Sequence, residues 1–220
     1  MKRDLKLPLS PLEGLFSTQE ERDDANLERI HKIPLGELHP FQNHPFKVRK
    51  DEEMKKMIDS ISQYGVLTPA FARPREGGGY ELVSGHRRLL ACQVLQLETL
   101  PVVVRDMTDD EAVISMVDAN LSREYILPSE KAFAYKMKLD AIKHQGKTSP
   151  QVAEKLSAEQ VGNAEGISKD QVWRYIRLTN LTPELLQMVD DRKIAFNPAV
   201  EISYLTVDEQ KTLLTEMQAQ

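Results

Sequence analysis

Apolar residues recur along this chain with two different periods. Met54, Met57, Ile58 and Ile61 return every three to four positions, which predicts a helix that stops at Gly65. Val66 to Arg73, Gly79 to Val83 and Pro101 to Val104 are short apolar runs, the first two joined through the Gly77-Gly78-Gly79 turn, and they predict strands. Leu89, Leu90, Ala91, Val94 and Leu95 predict a helix between the last two strands. With a leading strand over Ile30 to Leu38, the segment up to about Arg105 reads as a small α+β unit.

Beyond it the pattern is helical throughout. Thr108 with Glu111, Ser157 with Gln160, Ser168 with Gln171 and Thr206 with Glu209 all have the spacing of capping boxes. Ala112, Val113, Met116 and Val117 form the inner face of the first of these helices. Pro183 follows Thr182 in the first turn of another helix, whose apolar face is Leu185, Leu186, Met188 and Val189. A further short helix starts near Asn197 and Pro198. Residues 1–28 carry Pro8, Pro11 and Gly14 without sustained periodicity and read as a flexible arm. The expected division is therefore an arm at 1–28, an α+β domain at 29–127 and a helical domain at 128–220.

Two stretches carry candidate chemistry. Ser84-Gly85-His86-Arg87-Arg88 puts a glycine and two adjacent guanidinium groups where a strand turns into a helix. Unpaired N–H groups at a helix start, together with arginines, suit an anion such as phosphate. Asn120, Arg123 and Glu124 end the Thr108 helix and are candidates to face this turn; a surface ion pair of Arg123 with Glu124 is the alternative. The second stretch, 157–178, places two short helices around Gly166, with Gly162 allowing a close crossing and Val161, Ile167 and Val172 pointing to a shared interior. That is a helix-turn-helix pattern. Its second helix offers Lys169, Gln171, Arg174, Tyr175 and Arg177 to phosphates and base edges, while Trp173 reads as a core anchor.

Charge changes the picture only locally. The 220 residues carry a net charge of −5, yet between Lys131 and Arg177 nine basic side chains face five acidic ones. No apolar run is long enough to cross a membrane, and Met1 to Lys6 has no apolar core of a leader, so a cytoplasmic protein is expected. The single cysteine, Cys92, lies on an apolar helix face and reads as a buried hydrophobe.

Three ordered stretches resemble the signature blocks of the ParB family of DNA-partition proteins. They are Ile58 to Ala70, which contains Tyr64-Gly65-Val66-Leu67-Thr68-Pro69, then Gly85-His86-Arg87-Arg88, then Asp118 to Ala132, which contains Asn120-Leu121-Ser122-Arg123-Glu124. With the helix-turn-helix, the resemblance runs from about Ile30 to Leu205. It implies a ParB/sulfiredoxin-like α+β domain followed by an all-α helix-turn-helix domain. It also implies a palindrome-binding protein of plasmid or chromosome segregation, nucleoid- or plasmid-associated, homodimeric on DNA and gated by CTP. By matching position, Gly85, His86, Arg87 and Arg88 fall at the triphosphate, Thr68 near the nucleoside, and Asn120 and Arg123 beside the phosphates. The arm, with its apolar cluster Leu12-Glu13-Gly14-Leu15-Phe16, either docks on its own domain or contacts a ParA-type ATPase.

Departures from the family pattern set limits. His86 and Ala119 stand where the family has glutamates, so the oxygen ligands that a magnesium ion prefers are missing and no metal-binding or catalytic residues are assigned. Weak CTP hydrolysis is the one enzymatic step the resemblance leaves open. Thr68 replaces a glutamine, and Glu165 an apolar residue whose loss would fray the first helix of the pair. A sulfiredoxin-type enzyme would need a thiol at Gly85, and Cys92 lies about two helical turns further on. A regulator that binds DNA without a nucleotide is the remaining alternative, ahead of a nuclease.

Overall fold

The structure is a computed structural model that describes residues 29–123, 125–145 and 150–218. The arm with its expected ATPase contact, Glu124 and Lys147 lie outside the described residues. Strand β1 (Ile30–Pro34) leads through a 3-10 turn (Leu35–Glu37) into β2 (Leu38–Pro40), so the expected leading strand is broken in two. Helix α1 (Glu52–Tyr64), β3 (Ala70–Pro74), β4 (Tyr80–Ser84), α2 (His86–Val94) and β5 (Thr99–Val104) complete the α+β half. The sheet order is β1-β5-β3-β4-β2, with β3 parallel to β5 and β2 parallel to β4, the other pairs being antiparallel.

Alternation along the strands buries both faces of this sheet. Leu82 packs with Met54, Ile61, Leu89, Ala91, Cys92 and Val102 beneath α1 and α2. Its neighbour Val83 faces the other way, into a cluster with Phe41, Phe46, Ala112, Met116 and Val117 under α3 (Asp109–Leu121). Thr108 caps α3 in the expected reciprocal box, and α3 exposes one side to α4 (Pro128–Gln145). The Val83 cluster continues without a break through Ala134 and Tyr135 of α4 to Val161 and Val172 of the helical half. The two halves share this cluster, between one confined to the α+β half and one confined to the helical half.

The helical half contains α5 (Pro150–Glu165), α6 (Lys169–Arg177), α7 (Pro183–Asp190), α8 (Phe196–Ile202) and α9 (Val207–Gln218). Ser168 caps α6, its Oγ accepting from the Gln171 N–H at 3.2 Å. Ser157, by contrast, lies inside α5, which starts at Pro150; the expected cap there is a position in mid-helix. Nor does Glu165 fray the helix, since α5 runs up to it. Gly162 is required by space: a Cβ there would sit 2.6 Å from the Ile167 carbonyl oxygen. Gly166 is required by conformation, with φ of 66° and open space around it. Together they make the tight α5–α6 turn.

Gln210 fastens α9. It is 1% exposed, accepts from the Thr182 N–H at 2.8 Å, and donates to the carbonyls of Asn180 and Leu205 at 3.1 Å each. Thr182 starts α7 without making a side-chain cap, so Gln210 satisfies that helix end from a distance.

Candidate functional site

Gly85 begins α2 in the left-handed region, φ 106°, and a Cβ there would meet the Ala70 Cβ at 2.7 Å. Only a glycine lets β4 turn into α2 so close to β3. The turn then sends its three basic or imidazole side chains in different directions. Arg88 donates from Nη1 to the Thr68 carbonyl at 2.6 Å and to the Pro69 carbonyl, and burial lowers its pKa. Arg87 reaches Glu53 at 3.1 Å and Asp51 at 3.5 Å. It is Arg87 Nη2 that faces Asp51, whereas Arg87 Nε is buried with no hydrogen-bond partner.

Two clefts open on either side of Arg87. One, of about 490 Å³, runs between α1 and the segment 65–68 and is lined by Lys56, Ser60, Thr68 and Arg88. The other, of about 460 Å³, is lined by Lys47, Arg49, Asp51, Glu52, Arg123, Tyr125 and Glu130. Arg87 and Glu53 border both. Burial lowers the Arg123 pKa, and the neighbouring Arg87 guanidinium lowers it further. Four basic side chains thus meet at this cleft, interleaved with four carboxylates, of which Asp51 and Glu53 pair with Arg87 and Glu130 with Arg49. Glu130, 4% exposed, braces its wall: it accepts from the N–H of Lys47 at 2.9 Å and of Leu127 at 3.0 Å, and pairs with Arg49 at 3.5 Å.

The expected set is thus brought together in part. Arg87, Arg88, Thr68 and Arg123 line the paired clefts, and Gly85 starts the helix that carries two of them. His86 and Asn120 turn elsewhere. The His86 Nε2 accepts from the Phe41 N–H at 3.3 Å, and its ring lies 4.0 Å from that of His44. Burial first, then His44 and Arg123, push its pKa down to about 3, so the ring is neutral. Asn120 is 3% exposed and donates to the Met116 carbonyl of its own helix. Lys47, Arg49 and Glu130 were not singled out from sequence. Lys47 and Arg49 lie in a segment without periodicity, and Glu130 carries only the mark of an acidic residue in a first helical turn.

On the helical half, α6 exposes Lys169 and holds Gln171, Arg174 and Arg177 half-buried. The two aromatic residues exchange their expected places. Tyr175 joins the core, its ring 5.5 Å from Tyr135 and 4.7 Å from Phe196. Trp173 is half-exposed, outside the packed clusters of the described residues, with Lys143 Nζ 5.9 Å from its ring. The reason is helical phase: Tyr175 and Val172 share the inward side, while Trp173 falls beside Lys169 and Arg177.

Residues 19–121 match the ParB N-terminal domain family. The chain is 32% identical over 188 residues to the chromosome-partitioning protein Spo0J of Thermus thermophilus, which covers 86% of this chain and 65% of that protein. It is 28% identical over 213 residues to the nucleoid occlusion protein of Halalkalibacterium halodurans, covering 96% of this chain and 71% of the relative. Among solved structures it is similar in fold to the C-terminally truncated chromosome-partitioning protein ParB from Caulobacter crescentus complexed to the centromeric parS site. That likeness has a TM-score of 0.52 at 22% identity, over 84% of this chain and 99% of the other. Residues 19–121 therefore belong to the ParB N-terminal domain family, and the similarity to its partition and nucleoid occlusion relatives runs on through the helix-turn-helix half.

Proposed function

We propose that this protein is a sequence-specific DNA-binding partition protein in which a nucleoside triphosphate, CTP by family resemblance, gates a DNA clamp. One arrangement supports the reading: a cleft where Lys47, Arg49, Arg87 and Arg123 meet, with the Arg87 Nε donor unmet, and a recognition helix bearing Lys169, Arg174 and Arg177, joined through an apolar cluster that the two halves share. Arg87, Arg123 and Arg49 would hold phosphate oxygens, helped by the N–H groups at the start of α2. Thr68 and Arg88 would border the nucleoside in the adjoining cleft. When bound, the triphosphate would take over Arg87 and Arg49 from the carboxylates of Asp51, Glu53 and Glu130 that pair with them. His86 is spoken for by Phe41 and His44, so no carboxylate or imidazole of the turn meets a metal ion, and binding is expected to depend weakly on magnesium. A palindromic DNA site calls for two copies, so a homodimer on DNA belongs to the proposal, as do a cytoplasmic, nucleoid- or plasmid-associated location and contact of the arm with a ParA-type ATPase.

Calorimetric titration of CTP, ATP and GTP, with and without magnesium, tests the nucleotide half. CTP binding by the parent chain and its loss in Arg87→Ala are expected; equal binding by both sinks it. Mobility shifts with duplexes enriched by the parent chain from a randomised pool test the DNA half. The Lys169→Ala variant should reduce the salt slope of log K by about one. A parent chain that enriches no sequence refutes this half. DNA enrichment without nucleotide binding would favour a regulator lacking the switch, the reading suggested by the inward turn of both His86 and Asn120.

A further inference from the structure

The outer side of α6 is not shaped by α6 alone. Arg174 donates from Nη2 to the Asn197 Oδ1 at 2.6 Å, and its Cζ lies 5.4 Å from the centre of the Phe196 ring. One turn along, Arg177 donates from Nη2 to the Ser203 carbonyl at 3.2 Å, and its Cζ lies 3.8 Å over the Tyr204 ring. All four partners belong to α8 or the turn directly after it. Asn197 is exposed, and the Tyr204 ring is 64% exposed above the guanidinium it covers.

Hydrogen bonds and cation contacts at exposed positions add little to stability. Their effect here is geometric. An arginine on an exposed helix samples many rotamers and loses that freedom on binding, so fixing it beforehand favours the complex. Asn197 engages one of the five donors of Arg174 and leaves the rest of the planar fork available for a base edge. Arg177 is more committed: one donor is spent on a carbonyl, one face is covered by Tyr204, and its Nε is buried without a partner. What reaches solvent at that point is the tyrosine, with its hydroxyl.

We propose that α8 and the turn after it form a second part of the DNA-reading surface. Asn197 is the positioning residue for Arg174, and Tyr204, seated on Arg177, takes the place of Arg177 as the group that meets the phosphate backbone. The proposal rests on the reading of α6 as a recognition helix. It revises the sequence-based expectation, which gave Arg177 a direct role and Tyr204 none.

The test is a double-mutant cycle with the full chain, using a duplex enriched by the parent from a randomised pool and a scrambled duplex of the same composition. Asn197→Ala should weaken binding to the enriched duplex about five- to tenfold, within the range lost with one base contact, and leave the scrambled duplex unaffected. In the Arg174→Ala background the same substitution should have no further effect, because its partner is gone. Tyr204→Leu should weaken binding to both duplexes, and Tyr204→Phe should lie between Tyr204→Leu and the parent. Additive losses, or equal losses on both duplexes for Asn197→Ala, would show a structural role only and overturn the proposal, as would unchanged binding in Tyr204→Leu. Failure of the parent to prefer any sequence would remove the reading of α6 itself.

Discussion

Gly162→Ala is the most direct test of how the recognition helix is held. The new methyl group would lie 2.6 Å from the Ile167 carbonyl oxygen, and 3.3 Å from both the Ser168 carbonyl carbon and the Lys169 nitrogen. All three are backbone atoms of the turn entering α6, so no side chain can swing aside to make room. Overpacking of this kind costs about 1–3 kcal/mol, and backbone obstruction places it at the upper end. Alanine also gains about 1 kcal/mol over glycine inside a helix, which offsets part of the cost. The net expectation is a loss of about 2 kcal/mol. For a chain of this size that lowers the melting temperature by roughly 4–8 °C, followed by circular dichroism. Because the displaced atoms lead directly into Ser168 and Lys169, affinity for DNA should fall even where the variant remains folded. Gly166→Ala is the contrast: the space there is open, so only the left-handed backbone is strained, at about 1–2 kcal/mol, and Gly166→Asn should recover part of this. A Gly162→Ala variant melting at or above the parent would refute the close-crossing argument.

Two further expectations concern the Gly85 turn and the wall of the cleft. His86 has its pKa lowered from 6.5 to about 3 in the folded chain, so the unfolded chain binds the extra proton first. Its contribution is full above pH 6.5 and is lost as pH falls from there towards 3; urea titrations across that window should show a shallower pH dependence for His86→Gln, and identical slopes would count against the buried neutral ring. Glu130→Ala leaves the Lys47 and Leu127 N–H groups without their acceptor and should cost about 2–3 kcal/mol, with Glu130→Gln costing less. Stability unchanged to within about 0.5 kcal/mol would mean that water replaces the carboxylate and that the wall of the cleft is not braced there.

The sequence was legible where the determining interactions are local. The reciprocal boxes at Thr108 and Thr206 rest on side chains three positions apart, and both form; at Ser168 the serine half of the expected box forms, its hydroxyl accepting from the Gln171 N–H. Ser157 has the same spacing but lies within α5, because the helix already begins at Pro150 and a hydroxyl in mid-helix leaves the same trace in the sequence as a cap. The glycines at 85, 162 and 166 were likewise readable, since each answers a backbone demand. Directions of side chains were not. Arg87 and Arg88 are adjacent in sequence, yet Arg87 borders both clefts and Arg88 only one, Asn120 turns into its own helix, and His86 finds Phe41 and His44 more than forty positions away. Trp173 and Tyr175 differ by two positions on one helix, and a shift in assumed phase was enough to exchange core for surface. Long-range partners such as Glu130 with Lys47 carry no periodic signal at all.

Gln210 has one last consequence, for the order in which the protein opens. Within α9 it is the one fully buried side chain among the described residues, while Leu213 and Leu214 are only half covered. Its attachment is polar and concentrated at a single point, whereas α6 is anchored through a broad apolar core. Fraying of α9 therefore requires three hydrogen bonds to part and exposes little apolar surface. Amide protons of α9 should exchange with solvent at a much lower opening free energy than those of α4 or α6. The last helix can come and go as a unit while the recognition helix stays in place.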